Sequence, residues 1–234
     1  LKKIRYSNYG YNKNVIFGEI FDRKFKTSIK KNYQNINFEL LNTGVNIKLN
    51  LDDIKKNNLL KGLVEIEALN SNLKFDFDFD EKKLKINNSY FRSKDLSFNN
   101  SSIITYQPYF DINTNFVIKD INIKLIESLN LIKISEIKNI IKKINSKNTI
   151  SYKSKKFSKI IIDDMDLNID LVYGRLFFKK KFLIEKSISN CNGDMNLMDE
   201  YLKLNFNCSI KSADKRNFFK IFLINYKNKN EEFN

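Results

Sequence analysis

The chain predicts a mainly β fold: an antiparallel meander curled into a groove-like or sandwich sheet, with one helical insertion around 124–148. Three observations carry this. The stretch "LKFDFDFDEKKLKI", Leu73 to Ile86, alternates apolar and charged residues almost without error. Three successive hairpins agree in period and in face. A single region, from Lys124 to Asn148, changes to helical spacing.

The hairpins are read by pairing residues about a two-residue turn. With Glu81-Lys82 as the turn, Phe79 meets Leu84 and Phe77 meets Ile86, while Asp78 and Asp80 meet Lys85 and Lys83. Apolar faces apolar on one side and opposite charges face each other on the other. A turn at Asn70-Ser71 pairs Ala68 with Leu73, Ile66 with Phe75, Val64 with Phe77 and Glu67 with Lys74. Around Asn42-Thr43, Leu40 pairs with Val45, Phe38 with Ile47 and Ile36 with Leu49. Further strands are expected at Val15–Ile20, Phe25–Ile29, Ile103–Tyr106, Ile112–Ile118 and Met165–Tyr173. A Tyr173-Gly174 turn leads into Leu176–Ile184, followed by Ile188–Gly193, Tyr201–Ile210 and Phe218–Ile224. Pro108, the only proline, falls between two strands, where its missing N–H does little harm.

From Lys124 to Asn148 the apolar residues Leu125, Ile126, Leu129, Ile132, Ile137, Ile140, Ile141 and Ile144 follow a 3.6-residue period, with Ser135 a fair N-cap for a second helical piece. The basic tract Lys153–Lys159 reads as a linker back into sheet. The organisation is therefore a meander over 1–123, a helical insertion over 124–148, and a continuing antiparallel sheet over 149–234.

Bulk composition narrows the function. The chain has 234 residues, 42% of them hydrophobic, and a formal charge of +15 carried by 37 Lys and 5 Arg. Such charge attracts anions, yet Lys, the 35 Asn and the 32 Ile all have codons made mainly of A and T, so an AT-rich genome accounts for the bias. Arg, whose planar fork suits phosphate, is scarce, which counts against a nucleic-acid partner. No apolar run approaches the roughly 18 residues of a membrane-spanning helix. The chain begins at Leu1 rather than Met and reads as a piece of a longer protein.

No catalytic or metal constellation emerges, and no cofactor is expected. His is absent, which removes His-based nucleophile systems and His-containing zinc sites. Asp76, Asp78 and Asp80 share a strand face but lack the glycine turn of a calcium loop. Asp52-Asp53 and Asp163-Asp164 read as turn or strand-end residues. Ser-x-x-Lys at Ser28–Lys31 and Ser135–Lys138 is a chance match in so lysine-rich a chain, without the companion motifs of acyl-serine enzymes. The two cysteines are more telling. With Asp199-Glu200 as the turn, Cys191 and Cys208 face each other directly, which predicts a disulfide and with it an oxidising compartment; the alternative is two buried free thiols in a cytosolic domain.

The apolar face needs a cover, since each buried Phe is worth about 1.5–3 kcal/mol. Alternation nominates Phe38, Ile47, Ile66, Phe75, Phe77, Phe79, Leu84 and Ile86 as that face. Against protein or against lipid, such a face reads alike.

The stretch from "GEIFDRKFKTSIKKNYQNINFELLNTGVNIKLNL" through "LKGLVEIEALNSNLKFDFDFDEKKLKINNSYFRSKDLSF" to "SIITYQPYFDINTNFVIKDINI" resembles the C-terminal region of AsmA-like bacterial envelope proteins. A Gly (Gly62) precedes an apolar-alternating strand, an amphipathic hairpin follows, and "QPYFDINTNFVIKDI" leads into the helical stretch. "NCNGDMNLMDEYLKLNFNCSI" is similar to the closing hairpin of that module. The resemblance implies an anchor in the inner membrane, outside this stretch, and a curled periplasmic sheet with an apolar groove. It further implies phospholipid as partner, in transport towards the outer membrane, with no catalytic residue to carry over. Neither enzymatic activity nor a nucleic-acid partner is expected, the latter because alternation puts most Phe on the dry face. The competing expectations are a basic nucleic-acid-binding β-domain and a closed structural sandwich without a ligand. An outer-membrane barrel would alternate similarly, but the helical stretch and the few glycines argue against it.

Overall fold

The computed structural model describes residues 1–30, 34–52, 59–122, 142–154, 162–184, 187–212, 214, 216 and 219. Among these residues, fifteen strands follow one another across a single sheet in chain order. They are β1 (Lys2–Ser7), β2 (Val15–Ile20), β3 (Arg23–Lys30), β4 (Asn35–Leu40), β5 (Val45–Leu51), β6 (Leu60–Ala68), β7 (Ser71–Phe79) and β8 (Lys83–Arg92). Then come β9 (Leu96–Thr105), β10 (Asp111–Ile121), β11 (Asn145–Lys153), β12 (Asp164–Val172), β13 (Arg175–Ile184), β14 (Ser187–Asn196) and β15 (Leu204–Lys211).

Turn chemistry explains the tightest hairpins. Phe21-Asp22, Leu69-Asn70 and Tyr173-Gly174 each occupy a two-residue connection with both residues at positive φ. That is the mirror-image turn whose twist matches the flanking strands, and Asn, Asp and Gly tolerate its second position. Its first position is bulky here, and Phe21, Leu69 and Tyr173 all point into solvent. The β7–β8 turn is closed differently: Asp80 accepts the backbone N–H groups of Lys82 and Lys83, each at 2.8 Å.

The sheet is open and curled, and it is one layer thick. β1 and β15 do not pair, and the strands touch little beyond their sequential neighbours. The sandwich alternative therefore fails, since no second layer faces this sheet among the described residues. The chain exposes 18038 Å², whereas a compact monomer of its 27.8 kDa would expose ~11,000 Å² by the usual mass scaling.

Several expected registers hold. β4 and β5 pair Leu40 with Val45, Phe38 with Ile47 and Ile36 with Leu49. β7 and β8 pair Phe79 with Leu84, Phe77 with Ile86 and Asp78 with Lys85. β2 spans the residues expected of it, and Pro108 lies in the connection between β9 and β10.

Four corrections follow. First, β6 and β7 turn at Leu69-Asn70, not Asn70-Ser71, so Ile66 meets Leu73, Val64 meets Phe75, and Glu65 rather than Glu67 meets Lys74. Asn70 takes the left-handed position that the tight turn requires. The slip changes each pair sum by two, so every side chain keeps its face.

Second, the helical insertion does not reach residue 148, because Asn145–Lys153 is strand β11. Its alternation is masked because two inward positions hold Ser146 and Asn148 instead of apolar residues. Residues 123–141 lie outside the described residues.

Third, the sheet is not antiparallel throughout, since β11 pairs with β10 in parallel, Asp111 opposite Asn145 and Ile118 opposite Tyr152. Fourth, Lys153 ends a strand instead of starting a linker, β9 begins at Leu96 instead of Ile103, and β15 starts at Leu204, after an irregular connection. The expected strand Phe218–Ile224 lies outside the described residues apart from Phe219.

Candidate functional site

Pairing fixes which side chains share a face, and the face can be followed strand by strand. Phe75, Phe77 and Phe79 of β7 alternate with Asp76 and Asp78. Through their partners, Val64, Ile66 and Leu60 of β6 join the same side. Ile47 and Leu49 of β5 follow from β6, and Phe38 and Ile36 of β4 follow from β5. On the other flank the face continues through Leu84 and Ile86 of β8 to Ile104 of β9 and Ile112 of β10. All eight candidates named from alternation thus sit on one face.

That face does not stop at the hairpins from which it was read. Phe91 of β8 pairs with Phe98 of β9, and Phe116 of β10 pairs with Ile150 of β11. Leu167 and Ile169 of β12, Phe178 of β13 and Phe206 of β15 carry it to the far edge. Ring contacts tie it laterally: Phe25 stacks on Phe38 at 5.4 Å, Phe91 on Phe98 at 4.9 Å, and Phe98 meets Phe116 edge-on at 5.3 Å.

Burial marks this as the sheltered side. Among the described residues, Phe25, Phe77, Tyr152, Ile184, Cys191 and Met195 on this face are buried, and so are Ser89, Ser102, Ser146, Ser187 and Ser189. Serine is small, and taller neighbours close over it. Most other apolar residues of the face stay half-buried, and at the β15 edge Phe206 is 65% exposed.

Three strand glycines are built into the face. Gly18 is paired with Phe25, Gly62 with Phe77 and Gly193 with Phe178. A Cβ on Gly18 would sit 2.6 Å from the Phe25 ring. On Gly62 it would strike the backbone carbonyl of Asn50, and on Gly193 that of Asn205. Each aromatic ring thus lies over the bare backbone of the neighbouring strand, a packing that only glycine permits.

A polar stripe crosses the apolar face between β8 and β11. Ser102 Oγ donates to Asn100 Oδ1 at 2.8 Å, Thr114 Oγ1 to Asn148 Oδ1 at 2.9 Å, and the Asn148 amide to Ser146 Oγ and to the Ile169 carbonyl at 2.9 Å each. Alternation could not single these residues out, because Ser, Thr and Asn read as wet-face residues. Register shifts within β7–β8 and β8–β9 mask the parity further.

The opposite face carries the charged residues. Glu65 and Lys74 pair at 2.8 Å, Lys61 and Asp78 at 3.2 Å, and Arg175 and Asp194 at 3.6 Å. The hydrogen bond from Lys74 holds the Glu65 carboxyl below its ordinary range, and the same bond raises Lys74. The backbone N–H groups of Lys82 and then Lys83 hold Asp80 low. Asp76 accepts from the Asn88 amide at 2.8 Å. The three aspartates of β7 and its turn therefore have separate partners, and no cluster able to hold a metal ion occurs among the described residues. Ser28 lies within β3, paired to Val15 and Asn37. An open depression of about 500 Å³ is lined by wet-side residues, among them Asp166, Lys179, Lys181, Asn190 and Asn207, together with Lys180 and Cys191 of the apolar side.

Cys191 and Cys208 are directly paired and joined by a disulfide, with their Cα atoms 4.1 Å apart. The bond ties the edge strand β15 to β14 on the apolar face. No helix among the described residues is long and apolar enough to cross a membrane. No protein-family model, curated protein or solved structure matches this chain.

Proposed function

We propose that the chain is a non-enzymatic module of an AsmA-like bacterial envelope protein, whose apolar sheet face lies along phospholipid acyl chains between the inner and outer membranes. The observation that supports this best is the largely apolar face that runs from β2 to β15, crossed by one polar stripe and left half-buried, among the described residues, by an open, single-layered sheet. Apolar surface on this scale is costly to leave in water and marks a contact site. The disulfide fits an oxidising periplasm, with attachment to the inner membrane supplied elsewhere in a longer protein.

A single-stranded nucleic-acid partner would call for aromatics interleaved with lysines on the wet side. Strand registers place most phenylalanines on the other face. The test is native mass spectrometry and lipid extraction of the protein purified from a bacterial envelope. Co-purifying phospholipid is the expected result, with loss of that lipid when Phe98, at the centre of the face, becomes Asp in a chain that still folds. A consistently lipid-free wild-type protein overturns the reading.

A further inference from the structure

Lys180 breaks the chemistry of the face on which it lies. It sits between Phe178 and Phe182 along β13, directly opposite Leu167 of β12 and Cys191 of β14. Its Nζ stands 5.1 Å from the Phe182 ring centroid and 6.0 Å from that of Phe178, so the ammonium is on the apolar side, and the residue as a whole is half-buried. Among the paired positions of β2–β15, the other charged residue on this side is Arg23, the first residue of β3, beside a turn. Among the described residues, no carboxylate occupies a paired position on the face of β2–β15, and no ion pair is formed by Lys180. A cation held against aromatic rings in an apolar wall, with no carboxylate partner among the described residues, is poised for an external anion.

We infer that Lys180 is the seat for the anionic head of a lipid whose acyl chains run along the neighbouring apolar strands. The inference rests on the proposed lipid contact and adds to it a headgroup preference and a position. Charge complementarity selects an anion, and the surrounding Phe178, Phe182 and Leu167 select one that carries hydrocarbon over a free hydrated ion. The aromatic faces hold the ammonium in place before the lipid arrives, and the anion replaces lost water. Lysines 179 and 181 flank it in sequence, but alternation sends both to the wet face, paired with Asn168 and Asp166.

The test compares short-chain phosphatidylglycerol with short-chain phosphatidylcholine, both below their micelle concentrations, bound to the full chain with its disulfide intact. Wild type should prefer phosphatidylglycerol by roughly fivefold, the effect of one lysine near an anionic lipid. Lys180→Met should abolish that preference while leaving phosphatidylcholine binding in place, and Lys180→Arg should retain it. Lys179→Met and Lys181→Met remove the same charge from the opposite face and should leave the preference intact. If Lys180→Met keeps the wild-type preference, or if Lys179→Met and Lys181→Met lose it equally, bulk charge is responsible and the assignment of Lys180 is wrong while the groove reading stands. If wild type binds neither lipid, both readings fail together. A circular dichroism spectrum matching wild type is required of each variant, and Lys180→Arg tests the site even if Lys180→Met does not fold.

Discussion

Thr114 donates a hydrogen bond to Asn148 across the parallel β10–β11 pair, 2.9 Å from Oγ1 to Oδ1, at directly opposed positions. On the other face of the same seam Thr149 Oγ1 donates to Asn115 Oδ1 at 2.8 Å. The parallel step is therefore stitched on both sides, where parallel pairing itself is slightly weaker per residue than antiparallel.

Replacing Asn148 by Ala strands the hydroxyl of Thr114 and loses the contacts to Ser146 and Ile169 within a partly buried stripe. The cost should be about 1–3 kcal/mol, the penalty for leaving buried polar groups unmatched. Thr114→Val removes one bond only and should cost less. Urea denaturation of both variants against wild type reads the order, and an Asn148→Ala midpoint equal to wild type would show that the stripe does not secure the seam.

Gly62→Ala and Gly193→Ala should each destabilise by about 1–3 kcal/mol, the usual scale for forcing atoms into filled space. Their new methyl groups meet backbone carbonyls of Asn50 and Asn205, which move only with their strands. Gly18→Ala meets the end of the Phe25 side chain, which can swing, and should cost less. Thermal unfolding ranks the three, and the reverse order would refute the packing account.

Reducing the Cys191–Cys208 bond, or changing both cysteines to Ser, should lower stability by about 3 kcal/mol, the loop-entropy value for a separation of this size. The loss should concentrate in β15, which among the described strands pairs only with β14. Hydrogen exchange should therefore show faster exchange of the amides of Leu204–Lys211 under reductant, with β6 and β7 unchanged.

Acid should loosen the β7–β8 turn first. Asp80 is held low by the N–H groups of Lys82 and Lys83. Its contribution is complete above the ordinary carboxylate range near pH 4 and disappears as pH falls through its lower folded value. Glu65, held low by Lys74, changes in the same direction. Protection of the Lys82 and Lys83 amides relative to their intrinsic exchange rates should fall below about pH 4, and Asp80→Ala should show that lower protection at every pH.

Where alternation was strong, the fold was legible before any coordinates. Phe77 opposite Ile86, Phe38 opposite Ile47 and Cys191 opposite Cys208 follow from counting about a turn. Counting fails where the turn choice depends on which residue accepts positive φ, as at Asn70, and where the inward residues are not apolar, as at Ser146 and Asn148. The eight candidates span only β4 to β8 because the rest of the face is interrupted by Ser, Thr, Asn and Gly that serve packing and hydrogen bonding. Lys180 was invisible for a related reason: among so many lysines, only register tells which one points inward.

The parallel step also decides what each end of the strands carries. Connections in a pure meander alternate between the two rims, and a strand that repeats the direction of its predecessor resets the count. Because of that reset, Tyr173 and Tyr201 emerge at the same rim as Tyr9, Tyr11 and Tyr109, all of them at least 75% exposed. The rim with the Phe21 and Leu69 turns holds no such tyrosine among the described residues. The molecule thus has a phenolic fringe along one border and none along the other, a sidedness created by a single pair of strands.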